Sequence, residues 1–146
     1  MQERTSRGQV SAPSPGVVVL PQLDHWAPQW DRLVDQSPLP TPFLRSWWLT
    51  GTGGPRCRFL LVKQNDRLLG GLALDEERWL GLPCLRVMGG GPLCPDHLDL
   101  LAAPGHEAAV ARLAGAWLRR PGARLLDLAG ICADARLSTA LSAKLS

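Results

Sequence analysis

Two aspartates and a histidine in the second half of the chain form a compact group of acid and base side chains. Asp96, His97 and Asp99 lie almost side by side in the sequence. A carboxylate or an imidazole can take the proton from an attacking nucleophile, so these residues are the predicted catalytic group. A solvated loop in which Asp99 points outward explains the same residues and is the more common case, because such a cluster is unspecific without geometry. Both interpretations stay open.

Two adjacent tryptophans are the second candidate. Trp47 and Trp48 follow Thr41 and Pro42, an N-cap residue and a first-turn proline that predict the start of a helix. The pair is the predicted substrate-binding platform, since indole rings stack on ligands. A helix face that carries large aromatic side chains more often packs into the core, and this alternative is retained.

The cysteines and histidines do not have the spacing of a metal site. The four cysteines form no C-x-x-C pair, and the three histidines form no H-x-x-x-H pair. We therefore expect buried thiols and no metal ion.

Composition excludes several classes of function. The 146 residues are 45% hydrophobic and 20% charged, with a formal net charge of +3, which is typical of one folded domain. The arginines are spread along the chain and not concentrated in a patch, so no nucleic-acid partner is expected. No stretch approaches the roughly 18 apolar residues of a membrane span, and residues 1–16 do not resemble a signal peptide. A cytoplasmic protein without a membrane partner is the expectation.

The elements that must position these side chains follow from hydrophobic periodicity. Residues 1–16 are rich in Ser, Pro and Gly and predict a disordered tail, and residues 17–146 predict one domain. Helices are predicted at 25–36, from Pro42 to just before Gly51, from about 106, and at 133–145. Strands are predicted at 16–20, 57–63, 68–74, 79–88 with an interruption at Pro83, 97–102 and 124–129. The fold class is therefore α+β.

This order of elements resembles the GNAT acyltransferase fold up to its fourth helix. Local stretches are similar to the tandem branch that includes the FemAB peptidyltransferases and the CelD-like proteins of cellulose biosynthesis. The stretches are WDRL at 30–33, TPFLRSWW at 41–48, RLLGGLAL at 67–74 and DHLDLL at 96–101. The resemblance implies a mixed sheet flanked by helices, and the chain as given would lack the last two strands of that sheet.

The resemblance also implies a function. A GNAT enzyme transfers an acyl group from acetyl-CoA or another acyl-CoA to an amine, here a small-molecule or peptide acceptor, and some FemAB-like relatives use aminoacyl-tRNA instead. In the tandem branch the first unit frames the acceptor while a second GNAT domain usually holds the donor. This chain would be the first unit. A non-catalytic binding module and an inactive truncated product are the alternatives.

The loop expected to hold the CoA pyrophosphate is a poor match to the family. The pattern Q/R-x-x-G-x-G/A corresponds here to LAAPGH at 101–106, which makes Gly105 and His106 the candidate cofactor-binding residues. Backbone N–H groups at a helix start bind such an anion, and Pro104 removes one of them. The chain also contains no tyrosine to reprotonate the leaving thiolate. An apolar strand edge at 125–128 predicts self-association or pairing with a second domain.

Overall fold

The computed structural model describes residues 13–37, 42–53, 55–88, 100–120 and 125–127. Its helices are α1 (Ala27–Asp35), α2 (Ser46–Thr52) and α3 (Glu107–Leu118), with short 3₁₀ turns at Asp24–Trp26 and Pro42–Leu44. Its strands are β1 (Gly16–Leu20), β2 (Cys57–Gln64), β3 (Arg67–Trp79), β4 (Leu82–Val87), β5 (Leu101–Ala102) and β6 (Leu125–Asp127). The α+β class is confirmed.

The strands form one mixed sheet in the order β1-β2-β3-β4-β6, with β5 also paired to β3. The pairs from β1 to β4 are antiparallel, as is the β3–β5 pair, whereas β4 and β6 run parallel. A parallel step needs a crossover connection, and α3 lies between β5 and β6 in the chain. The predicted domain boundary placed Gly16 in the tail, but Gly16 is the first residue of β1 and pairs with Lys63 of β2.

Strands β4 and β5 continue one line of pairing along β3. Val87 of β4 lies opposite Leu74, and the Met88 N–H donates to the carbonyl of Ala73. Leu101 then lies opposite Gly71, so the chain returns to the same edge of β3 two residues further on and in the same direction. This line ends at Ala103, whose N–H donates to the carbonyl of Leu69, immediately before the turn into α3.

Two glycines let helices approach both faces of the sheet. A Cβ on Gly70 would lie 2.5 Å from a methyl of Val110 in α3, and one on Gly71 would lie 2.8 Å from the Trp30 ring in α1. Because neighbouring strand residues point to opposite faces, α1 and α3 cover opposite sides of β3. The hydrophobic core includes the contact between Trp30 and β3, and Trp30 is fully buried there.

One predicted strand was wrong. Residues 79–88 were expected to form a single interrupted strand, but Trp79 ends β3 and Leu82 begins β4. Leu80 (φ 51°) and Gly81 (φ 81°) both have positive φ, as in the mirror-image turns that join tight hairpins. Leucine rarely adopts this conformation, so the sequence carried a turn signal only at Gly81.

Other boundaries differ by a few residues or cannot be compared. The first helix begins as a 3₁₀ turn and becomes α-helical at Ala27. The strand predicted at 97–102 includes β5 (Leu101–Ala102), and its residues 97–99 lie outside the described residues. The helix predicted at 133–145 lies outside the described residues, as does most of the tail. Among the helices that the structure describes, none combines the length and the apolar character needed to cross a membrane.

Candidate functional site

Helix α1 holds the segment that carries the tryptophan pair. The indole N–H of Trp30 donates to the carbonyl of Leu44 at 2.7 Å, and its ring meets Phe59 of β2 edge to face. This hydrogen bond satisfies the polar atom of a fully buried aromatic side chain and fixes the chain just before α2. The position of α2 is therefore set by the core and not by a flexible loop.

A carboxylate of α1 caps α2 from outside that helix. Asp31 accepts the Ser46 backbone N–H on Oδ1 at 2.8 Å and the Ser46 hydroxyl on Oδ2 at 2.7 Å. Arg45, at the N-cap position, supplies no side-chain cap and instead forms an ion pair with Asp35. The helix predicted from Pro42 begins there as the 3₁₀ turn Pro42–Leu44, and α2 follows at Ser46, where Asp31 accepts the first amide. The predicted cap Thr41 lies outside the described residues.

The two tryptophans have different environments. Trp48 is half-buried against the core and meets Phe43 edge to face, with 5.1 Å between ring centroids. Trp47 is 62% exposed and meets Trp48 edge to face at 5.9 Å. We call Phe43, Trp47 and Trp48 the aromatic cluster. The core interpretation applies to Trp48, while Trp47 presents an open indole that a ligand can reach.

The loop that was compared with the pyrophosphate motif is a tight turn. The His106 N–H donates to the carbonyl of Ala103 at 2.9 Å, with Pro104 and Gly105 between them. Gly105 has φ 85° and is exposed, so proline followed by a glycine with positive φ gives a type II turn. The positive φ of Gly105 is explained by this turn without a ligand.

The start of α3 offers few free donors to an anion. Pro104 has no N–H group, and the N–H of His106 is already bonded within the turn. Glu107, in the first turn of α3, places a carboxylate where the helix dipole is positive. This carboxylate stabilises the helix and repels a second negative charge, so the turn that holds Gly105 and His106 is unfavourable for binding an anion.

The structure gives no geometry for the predicted catalytic group. Asp96, His97 and Asp99 lie outside the described residues, so their catalytic role stays a prediction. Within the described ranges, no group of three or more histidine, cysteine, aspartate or glutamate side chains is placed to hold a metal ion. Cys57 and Cys84 are buried free thiols, as expected for cysteines without metal-binding spacing.

A cleft that was not predicted opens between α1, the start of β3 and the end of β5. It has a volume of about 360 Å³. Its lining consists of Gln29, Arg32, Leu33, Gln36, Arg67, Leu68 and Ala103. We call it the arginine cleft.

The sequence pattern could have indicated the α1 side of the arginine cleft but not the contribution of Arg67. Gln29, Arg32 and Gln36 recur at helical spacing, which puts polar side chains on one face of α1. Arg67 is the first residue of β3 and is distant from α1 in the sequence, and it reaches this face through the packing of α1 on β3. Ala103 connects the arginine cleft to the turn before α3.

No family model matches this chain, and neither a curated protein nor a solved structure matches it.

Proposed function

We propose that this chain is a GNAT-type acyltransferase domain of the FemAB-like and CelD-like kind that frames an amine acceptor. The order of elements carries the proposal. One strand, two helices and an antiparallel run of strands are followed by α3 and by a strand parallel to β4. This order resembles the GNAT fold, and the turn into α3 lies where such a fold holds the pyrophosphate of its donor.

The chemistry of that turn supports the acceptor half over the donor half. A pyrophosphate cradle needs several converging N–H groups. Here Pro104 supplies none, His106 uses its own within the turn, and Glu107 adds a negative charge. We infer that acyl-CoA, or aminoacyl-tRNA, is held by a second GNAT domain and that this chain transfers no acyl group by itself.

The acceptor would contact the aromatic cluster. Trp47 is exposed on α2, and two bonds hold the start of this helix: Trp30 donates to the carbonyl of Leu44, and Asp31 accepts the Ser46 N–H. The backbone that carries Trp47 is therefore positioned before a ligand arrives. Positioning of this kind lowers the entropic cost of binding. In this proposal Asp96, His97 and Asp99 supply the general base for the attacking amine.

The test is a calorimetric titration of the chain with acetyl-CoA. It is run on the natural chain and on the R32Q/R67Q variant, because phosphate groups of the nucleotide can also reach the arginine cleft. We expect no saturable heat from the variant up to about 1 mM acetyl-CoA, which corresponds to less than roughly 4 kcal/mol of binding free energy. Micromolar binding that persists in the variant would contradict the acceptor-framing role and assign the donor site to this chain.

A transfer assay completes the test. The natural chain is mixed with acetyl-CoA and with glucosamine or a short peptide that has a free amino terminus, and release of the CoA thiol is followed. We expect no release above the rate without protein. Release that depends on the amine would show that the chain is a complete enzyme.

A further inference from the structure

Two arginines in the arginine cleft have no acidic partner in the part of the chain that the structure describes. The ion pairs found there use Arg45, Arg58 and Arg86, whereas no carboxylate lies within ion-pair distance of Arg32 or Arg67. Among the described residues, Arg32 donates from Nε to the carbonyl of Pro28, at a long 3.4 Å. No described residue accepts a bond from its other guanidinium N–H groups, which can donate to a ligand.

A third side chain ties the backbone beside Arg67 to α1, the helix that carries Arg32. Gln29 donates from Nε2 to the carbonyl of Asp66 at 2.9 Å and accepts the N–H of Leu68 on Oε1 at 2.8 Å. These two bonds connect the backbone on both sides of Arg67 to α1. The relative position of the two guanidinium-bearing residues is therefore set by the fold.

Three apolar residues line part of the arginine cleft. Leu33, Leu68 and Ala103 are buried, whereas Arg32 and Arg67 are exposed. No carboxylate is among the lining residues, so the two positive charges in the cleft attract an anion. The side-chain amide of Gln36 adds a neutral donor at the rim.

We propose that the arginine cleft binds the phosphate group of a small molecule. Two guanidinium groups that arrive from different elements suit a tetrahedral phosphate, which presents oxygens in several directions. A single planar carboxylate matches one guanidinium fork and leaves the second arginine unused. The site is separate from the aromatic cluster, and the inference holds whether or not the chain is an acyltransferase domain.

The experiment is a calorimetric titration with inorganic pyrophosphate, which carries no acyl group and so tests the arginine cleft apart from acyl transfer. The variants are R32Q and R67Q, and the control is R112Q, which removes an exposed arginine of α3 that does not line the cleft. Thermal melting of each variant checks that it folds. We expect saturable binding to the natural chain and to R112Q.

Each cleft variant should bind pyrophosphate about tenfold to a hundredfold more weakly, since each loses charge-assisted hydrogen bonds. R32K and R67K keep the charge but lose the planar fork, and should lie between the natural chain and the glutamine variants. Three results would overturn the proposal: no binding to the natural chain, equal binding to folded R32Q and R67Q, or citrate binding as tightly as pyrophosphate.

Discussion

Replacing Gly70 by alanine tests the packing that places the end of β5 and the start of α3. The added Cβ would collide with the carbonyl oxygen of Leu101 and lie 2.5 and 2.8 Å from the two methyl groups of Val110. Overpacking of a core costs about 1–3 kcal/mol, and a backbone oxygen in a paired strand cannot turn away as a side chain can. We therefore expect the free energy of unfolding to fall by about 3 kcal/mol, the upper end of that range.

The assay is urea denaturation followed by circular dichroism, with a thermal melt beside it. A loss of about 3 kcal/mol corresponds to roughly 9 °C in Tm for a domain of this size. Gly51→Ala is the matched control, because nothing lies within 4 Å of a Cβ there. Alanine in α2 should stabilise the chain by up to about 1 kcal/mol, since glycine is a poor helix former. If Gly70→Ala unfolds like the natural chain, β5 and α3 do not pack on β3 as described.

Three further predictions concern the cap, a thiol and the aromatic cluster. Asp31→Ala should lower the free energy of unfolding by about 2 kcal/mol in urea, because Ser46 loses two hydrogen bonds to a carboxylate; a loss below about 0.5 kcal/mol would refute the capping role. Burial raises the pKa of the Cys57 thiol from 9.0 to about 11. The folded chain therefore keeps a proton that the unfolded chain loses, so stability should fall between pH 9.0 and about 11, by no more than about 2–3 kcal/mol. The fall should be absent from Cys57→Ala over the same pH range, and an equal fall in that variant would assign it to other groups. Trp47→Ala should weaken the binding of an amine acceptor about threefold to tenfold, while Trp79→Ala, which removes a tryptophan that is 61% exposed at the β3–β4 turn, should leave it unchanged; equal losses would argue against the aromatic cluster as the acceptor platform.

Local patterns were enough to predict the regular elements. The strand at Gly16–Leu20, the β2–β3 hairpin and α3 each carry a periodicity that their own residues determine. The turn between β3 and β4 was missed because Leu80 adopts a positive φ that leucine rarely tolerates. The pairing of Trp79 with Leu82 determines the backbone conformation of Leu80, and the intrinsic preference of leucine does not.

The features around the candidate sites depend on contacts between distant residues. Asp31 caps a helix that starts fifteen positions later, and a local N-cap pattern cannot predict such a contact. Arg67 joins Arg32 in the arginine cleft only because Gln29 bridges α1 and the β2–β3 turn. Such contacts follow from tertiary packing, and the spacing of residues along the chain cannot predict them.

The most direct test of the acceptor-framing role is an NMR titration of the ¹⁵N-labelled R32Q/R67Q variant with acetyl-CoA. The amide resonances of Gly105, His106 and Glu107 report on the turn where a GNAT donor domain holds pyrophosphate. We predict that they stay unchanged, because the turn offers few free donors and Glu107 repels the anion. Saturable shifts of these three amides at micromolar acetyl-CoA would contradict the account.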